Sequence, residues 1–451
     1  MPPILDHPDN TIDDEVEIQD NSNPPTNPLT HINAEGVLGE FQYSLEFPDS
    51  QAGRTIAIYA PNGDGKTTLF RTINAILTPT YENLEYLLSA PIRSITLTYT
   101  DHSVIKYTSA TNAYTYSLQA DFGDTDETVE ISRADFTGPL AEDAMNDRAE
   151  LKKYRATIAR VNATASLIGD DRLHNYRTHP NRLRFGSQEL SPRVRTDPLS
   201  VTFALSELAE LFRTRALSGM SNSIADDSVY VKITRAILSS KSTAKSASET
   251  RQTLEHRLST LITQGEPYEH YKLVSLDEAR SILKAFDETR LNSRSFKNLG
   301  PTLNPYLEST EAHLGRLQPA FKLIDTFCTR LSSFLDRKEV IFSPDRGLGI
   351  TRTLTNGRTR RINPESLSSG ERHLLFIFSR AVLGANNHSL ILIDEPEISL
   401  GLEWQRQLIR TLEECTEDSG CQFLIASHST QVMRFLTDSS IFEPRIEPYD
   451  E

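Results

Sequence analysis

The sequence predicts an α/β fold, with a mixed sheet, an antiparallel β subdomain and a compact α-helical insertion. Three observations predict it. A short apolar run, Ile56 to Tyr59, leads through a glycine-rich loop into a helical run at 69–77. Two later aliphatic runs, Leu390–Ile393 and Phe423–Ala426, each end abruptly in polar residues, as buried parallel strands do. Between the glycine-rich loop and these two runs lie four period-two segments at about 93–133 and a long helical stretch at 200–336.

Taken in order, residues 1–30 carry seven acidic residues, no Lys or Arg and six prolines, which predicts a disordered acidic tail. Those acids supply about half of the chain's net charge of −15. An acidic total argues against a surface coated for nucleic acid. The three cysteines, Cys328, Cys415 and Cys421, form no C-x-x-C pair, so neither a zinc site nor a disulfide framework is indicated and a reducing compartment is expected. No apolar run is long enough for a membrane span and no signal peptide is visible, so a cytoplasmic location without membrane contact is expected.

Residues 37–49 alternate and predict one strand leading to the glycine loop. The loop itself, Ala60-Pro61-Asn62-Gly63-Asp64-Gly65-Lys66-Thr67-Thr68, sits between strand and helix. There consecutive backbone N–H groups and the helix N-terminus can converge on one anion. Asn62, Gly63 and Gly65 shape the cradle. Lys66 would reach β- and γ-phosphates, the Thr67 hydroxyl would bind Mg²⁺, and Thr68 would cap the helix near the α- and β-phosphates. Ala60 stands where the G-x-x-x-x-G-K-[ST] pattern has its first glycine.

After the β-rich segments come a helix at 140–162, a strand at 163–169 and a basic stretch with arginines at 172, 177, 182, 184, 193 and 195. The helices of 200–336 are expected to be short, with Pro319 interrupting the last. Ser275 to Glu278 reads as a capping box. A hairpin at 339–364 should turn at Asn356-Gly357.

Leu367-Ser368-Ser369-Gly370-Glu371 opens an apolar helix. Ser368, Ser369 and Gly370 read either as a second anion-binding helix start or as an ordinary N-cap. Asp394 and Glu395 emerge at the C-terminal end of a buried strand, the end at which open α/β sheets bind ligands. Asp394 would hold the Mg²⁺ shell, and Glu395 would orient or deprotonate a water. His428, at the end of the next strand, could donate to a γ-phosphate.

In this order the pieces resemble the ABC-type ATPases: Walker A (60–68), the signature LSSGE (367–371), Walker B with its catalytic glutamate (390–395), a D-loop and a switch histidine (428). The resemblance implies an ABC-type ATPase head built from residues 31–170 and 339–451, with a basic loop and helical insertion at 171–338. It implies ATP and Mg²⁺ as ligands, and a homodimer or higher oligomer in which one subunit's signature closes on the other's nucleotide. About 300 residues separate Lys66 from Ser368, which is similar to the SMC/RecF-like branch rather than to transporters. The phrasing LSSGER and IDEPEISL resembles the compact AAA-type ATPases of prokaryotic anti-phage defence. That kinship implies a sensor or regulatory subunit gating a separate effector, a nuclease or toxin, because only 23 residues follow His428. The alternative is a RecF/SMC-like ATPase of DNA repair, with DNA as the partner. The family's Q-loop glutamine corresponds to Asp171, which could accept from a water of the Mg²⁺ shell. Gly401-Leu402 stands where the family's D-loop usually has His-Pro.

Overall fold

A computed structural model of the chain describes residues 27–48, 54–110, 115–136, 148–169, 200–224, 251–288 and 293–446. The basic stretch at 172–195, Asp171 and residues 1–26 of the acidic segment lie outside the described residues.

The chain begins with a hairpin, β1 (Leu29–Val37) and β2 (Phe41–Glu46). This corrects two expectations. Residues 37–49 hold a turn and a strand rather than a single strand, because Leu38 and Gly39 both adopt positive φ. Ordered structure also starts inside the stretch assigned to the tail: Asn27 is buried, donating to Asp101 and to the Val161 carbonyl. Next come β3 (Thr55–Tyr59), α1 (Lys66–Leu77) and α2 (Tyr81–Leu87). Four antiparallel strands follow, as the period-two pattern predicts: β4 (Ser94–Tyr99), β5 (Val104–Ser109), β6 (Thr115–Asp121) and β7 (Asp126–Ser132). Helix α3 (Ala149–Val161) and strand β8 (Ala165–Ile168) end this half.

The central region is helical: α4 (Val201–Ile224), α5 (Arg251–His270), α6 (Asp277–Glu288) and α7 (Ser293–Phe334). Here the expectation of short helices is wrong. Helix α7 runs for 42 residues and passes through Pro319. A proline inside a helix costs roughly 3 kcal/mol, but the helix around it is fixed from both sides. Leu307, Leu314, Leu317, Ala320, Ile324, Phe327 and Leu331 are all buried. The N-terminal half of α7 packs with α5 and α6 in a small apolar cluster of its own, and its C-terminal half joins the main core.

Three strands follow, β9 (Lys338–Ile341), β10 (Gly349–Thr353) and β11 (Thr359–Ile362), the last two forming the expected hairpin with Gly357 at φ 76°. Then come α8 (Ser369–Asn387), β12 (Leu390–Asp394), α9 (Leu402–Cys415), β13 (Gln422–Ser427), α10 (Thr430–Met433), β14 (Ile441–Phe442) and β15 (Arg445–Ile446).

The architecture is α/β with three sheets. A seven-stranded sheet has the order β15-β2-β1-β4-β5-β6-β7, a five-stranded parallel sheet the order β14-β3-β13-β12-β8, and the small sheet the order β11-β10-β9. The parallel sheet lies between two cores. Ile56, Ile58, Leu390, Leu392 and Leu424 face one, with the antiparallel sheet and α1. Ala57, Ile391, Ile393, Phe423 and Ile425 face the other, with α4, α7, α8 and α9. Burial on both faces is why these strands read as unbroken aliphatic runs. Among the described residues no helix is long and apolar enough to cross a membrane.

Candidate functional site

The register of the parallel sheet gathers the site. Tyr59 pairs with Ser427 and Ala426 with Asp394, so β3, β13 and β12 end side by side. The glycine loop, Asp394-Glu395 and His428 therefore leave the sheet at one edge, the edge that binds ligands in parallel α/β sheets.

The loop is held from both sides. The Tyr43 hydroxyl of β2 donates to the Asp64 carbonyl at 2.6 Å, and burial raises the phenol's pKa, which keeps it a neutral donor. Lys66 is buried, and its Nζ donates to the carbonyls of Ala60 and Pro61 at 2.5 and 2.8 Å. Ala60 is not in a positive-φ conformation, which is why this first position works without glycine. Gly63 and Gly65 do need to be glycine, at φ 105° and 85°. Gly65 is also the N-cap of α1 and makes no side-chain cap bond. Thr68 is therefore not the cap that the sequence suggested but the third residue of the helix. The amides of Lys66, Thr67 and Thr68 precede the first intrahelical bond, Leu69 N–H to Gly65 O, and are the donors a helix start offers to an anion. Asn62 is exposed at the rim.

Two substitutions in the loop should differ. At Gly65 a Cβ would lie 2.5 Å from Val37 Cγ1, whereas at Gly63 nothing lies within 4 Å. Gly63→Ala should therefore carry only the backbone strain, roughly 1–3 kcal/mol. Gly65→Ala adds a clash with the β1 core and should lower the melting temperature further. Equal melting temperatures for the two variants would refute this account.

Asp394 is 9 % exposed, and its Oδ2 accepts from Thr67 Oγ1 at 2.5 Å. Its Oδ1 is buried without a hydrogen-bond partner. Burial first, and then the neighbouring charges of Glu395 and Glu397, raise its pKa, while Thr67 and Lys66 oppose them. A carboxylate in this position is short of positive charge. One carboxylate with one hydroxyl, both oxygen donors, fits Mg²⁺, which commonly takes one or two protein ligands and completes its shell with phosphates and water. No cluster of three His, Cys, Asp or Glu able to hold a metal by itself exists among the described residues.

The raised pKa has a stability consequence. The folded protein binds this proton more tightly than the unfolded chain, so the contribution is favourable in acid and is lost as pH rises through the folded-state pKa. Asp394→Asn, studied without nucleotide or Mg²⁺, should flatten the fall in melting temperature between pH 4 and 7 and raise the value at pH 7. An unchanged pH profile would contradict it.

Glu395 has φ 46° and is held there by its N–H donating to the Ala426 carbonyl at 2.9 Å. A positive φ at a bulky residue is strained backbone of the kind that clusters at functional sites. His428 Nδ1 lies 3.1 Å from Glu397 Oε1 and 4.0 Å from Glu395 Oε1, and the backbone N–H of His428 donates to the same Glu397 oxygen at 2.9 Å. Glu397 is buried and fixes the ring, leaving Nε2 for a ligand. The sequence displays Glu397 within the acidic run IDEPE, but the residue's aim at a strand 31 positions away is not a local property.

The remaining predicted residues lie elsewhere. Ser368 is the N-cap of α8 in a full capping box. Its hydroxyl accepts from Glu371 N–H, and its own N–H donates to Glu371 Oε2 at 3.0 Å. A Cβ on Gly370 would meet the Ser399 carbonyl at 2.5 Å, so only glycine lets this helix start lie against the turn after β12. No hydrogen bond or ion pair among the described residues joins 367–371 to the loop at 60–68. The starts of α1 and α8 are thus separate within the chain, the first with open amides and the second closed by its own capping box.

Among solved structures the fold is similar to the Smc head domain with an extended coiled coil bound to the C-terminal domain of ScpA from Pyrococcus furiosus, at 12% identity and TM-score 0.40, covering 94% of this chain and 96% of that one. It is also similar to the Smc head domain with a coiled coil and joint from Pyrococcus yayanosii (13%, TM-score 0.33, 94% and 97% covered) and to the SMC head domain from Thermotoga maritima (11%, TM-score 0.31, 94% and 100% covered). No curated protein matches the sequence. The sequence profile of the family described as "AAA domain, putative AbiEii toxin, Type IV TA system" matches residues 56–434, and the chain belongs to that family.

Proposed function

We propose that the chain is a Mg²⁺-dependent ATPase that dimerises around ATP, and that its nucleotide state gates a separate effector, a nuclease or toxin, in cytoplasmic anti-phage defence. The observation that carries the ATPase reading is the convergence of the Lys66 loop, the Thr67–Asp394 pair, Glu395 and His428 at the ends of three adjacent parallel strands. Loop amides and Lys66 hold the phosphates, and Thr67 and Asp394 would hold a Mg²⁺ ion that would supply neutralising charge at the phosphates. Glu395 takes the proton of a water as its oxygen bonds to the γ-phosphorus and the bond to the β,γ-bridging oxygen breaks, leaving ADP and phosphate. His428 Nε2 contacts the γ-phosphate. Asp171 contributes through the water shell of the cation.

The head comprises residues 27–170 and 339–451, with the insertion of 171–338 between them. Two helix starts that do not meet within one chain, at 65–69 and 367–371, support an arrangement in which Ser368, Ser369 and Gly370 of one subunit complete the site of another. The family's association with toxin–antitoxin systems supports the defence role. A second reading, a DNA-repair ATPase, draws support from Arg352, Arg358 and Arg360 on the β10–β11 hairpin. They are exposed and have no acidic partner among the described residues. The test is ATP turnover and sedimentation with and without Mg²⁺-ATP, duplex DNA and the products of adjacent genes. Turnover and dimerisation unaffected by DNA, with an adjacent product co-purifying, support the defence reading. Stimulation by DNA that falls steeply with salt supports repair.

A further inference from the structure

An ion pair ties the candidate signature helix to β9, the strand that follows the long helix α7. Lys338, the first residue of β9, donates from Nζ to Glu371 Oε1 at 2.5 Å, with side-chain exposures of 20% and 8%. The other oxygen of the same carboxylate accepts from the backbone N–H of Ser368 at 3.0 Å and from its hydroxyl at 2.9 Å. Burial opposes ionisation of Glu371, but hydrogen bonds from Lys338 and Ser368 outweigh it and hold its pKa below the ordinary carboxylate value.

Strand β9 is in turn anchored to the last turn of α7. Val340 N–H donates to Ser332 Oγ at 2.8 Å, and Ser332 Oγ donates to the Cys328 carbonyl at 2.6 Å. Phe334, the last residue of α7, packs edge-on against Trp404 of α9 at 6.2 Å and, tilted by 43°, against Phe378 of α8 at 5.9 Å. The end of α7 therefore touches both α8, which contains Gly370, and α9, whose Trp404 lies beside Gly370, and Lys338 carries its position to the Ser368 cap. The row is costly to maintain. Lys338 stands opposite Arg352, and Arg352 opposite Arg360, so three cations lie in register across three strands. Like charges directly opposite destabilise a sheet. Glu371 is the anion that offsets this at its inner end.

We propose that Lys338 is a positioning residue, which sets the conformation of Ser368 through Glu371 and so couples displacements of α7 to the phosphate-binding competence of the signature. The coupling rests on the dimer reading above, but the geometry it asserts does not. A shift of α7 moves β9, withdraws the Lys338 ammonium from Glu371 and frees the Ser368 amide and hydroxyl from their present partner.

The experiment uses the full chain and two readouts. Without nucleotide, Lys338→Met should speed amide exchange at 368–371 while leaving exchange at the Lys66 loop unchanged. With Mg²⁺-ATP it should weaken association and turnover roughly tenfold, a typical size for a coupling residue, and leave nucleotide affinity of the monomer within twofold. Glu371→Gln should behave alike, the double variant should be no worse than either single one, and Lys338→Arg should restore most of the loss. Unchanged exchange at 368–371 in both Lys338→Met and Glu371→Gln overturns the inference. Faster exchange with unchanged association overturns the coupling claim if Ser368→Arg abolishes association. If Ser368→Arg also leaves association intact, the dimer reading is what fails. Should Lys338→Met not fold, the Glu371→Gln exchange measurement decides.

Discussion

Glu395→Gln is expected to bind ATP, to associate, and to remain associated, with turnover reduced roughly 10²–10⁴-fold. The substitution keeps shape and the hydrogen bond to a water but removes the group that takes its proton. It leaves the Lys66 loop and the Thr67–Asp394 pair untouched. The backbone at Glu395, fixed at φ 46° by its bond to the Ala426 carbonyl, is equally available to glutamine. Binding and association should therefore survive while the step that separates the subunits does not. Gel filtration with ATP should show a persistent dimer for the variant and a transient one for the wild type, with phosphate release measured in parallel. Wild-type turnover in this variant would move the base elsewhere, with Glu397 the next carboxylate to examine.

The parts legible in the sequence share a physical character. Strands buried on both faces write themselves as aliphatic runs. That is why β3, β12 and β13, and with them the places of Lys66, Asp394 and His428, could be read directly. The antiparallel strands at 94–132 likewise showed their alternation. The sequence was silent where long-range contacts decide the outcome. Nothing local announces that α7 continues through Pro319, because the packing that sustains it comes from residues of α4 and α5. Nothing local says that Lys338 would find Glu371 33 positions away. The Thr68 cap was a misreading of a different sort. The glycine at 65 occupies the cap position in a left-handed conformation, and that geometry leaves three amides open where a side-chain cap would have filled one.

The second large effect concerns the assembly and follows from the separation of the two helix starts. If each ATP is held by Lys66 of one subunit and Ser368 of another, Lys66→Ala and Ser368→Arg should each abolish turnover when pure, for different reasons. The first removes the cation that holds the phosphates. The second places a bulky side chain at the α8 cap, where Glu371 N–H and the partner's phosphate would both be denied their contacts. Mixed in equal amounts, the two dead proteins should regain activity. A mixed dimer has one site with both defects and one with neither. Random pairing makes about half of all dimers mixed, so the expected recovery is about a quarter of the wild-type rate. Recovery should rise with total protein concentration, vanish when the Ser368→Arg protein, which supplies the intact Lys66, also carries Glu395→Gln, and survive when the Lys66→Ala protein carries it instead. A site contained within one chain predicts no recovery at any mixing ratio, since Ser368→Arg would then either leave its own turnover intact or destroy it beyond repair by a partner.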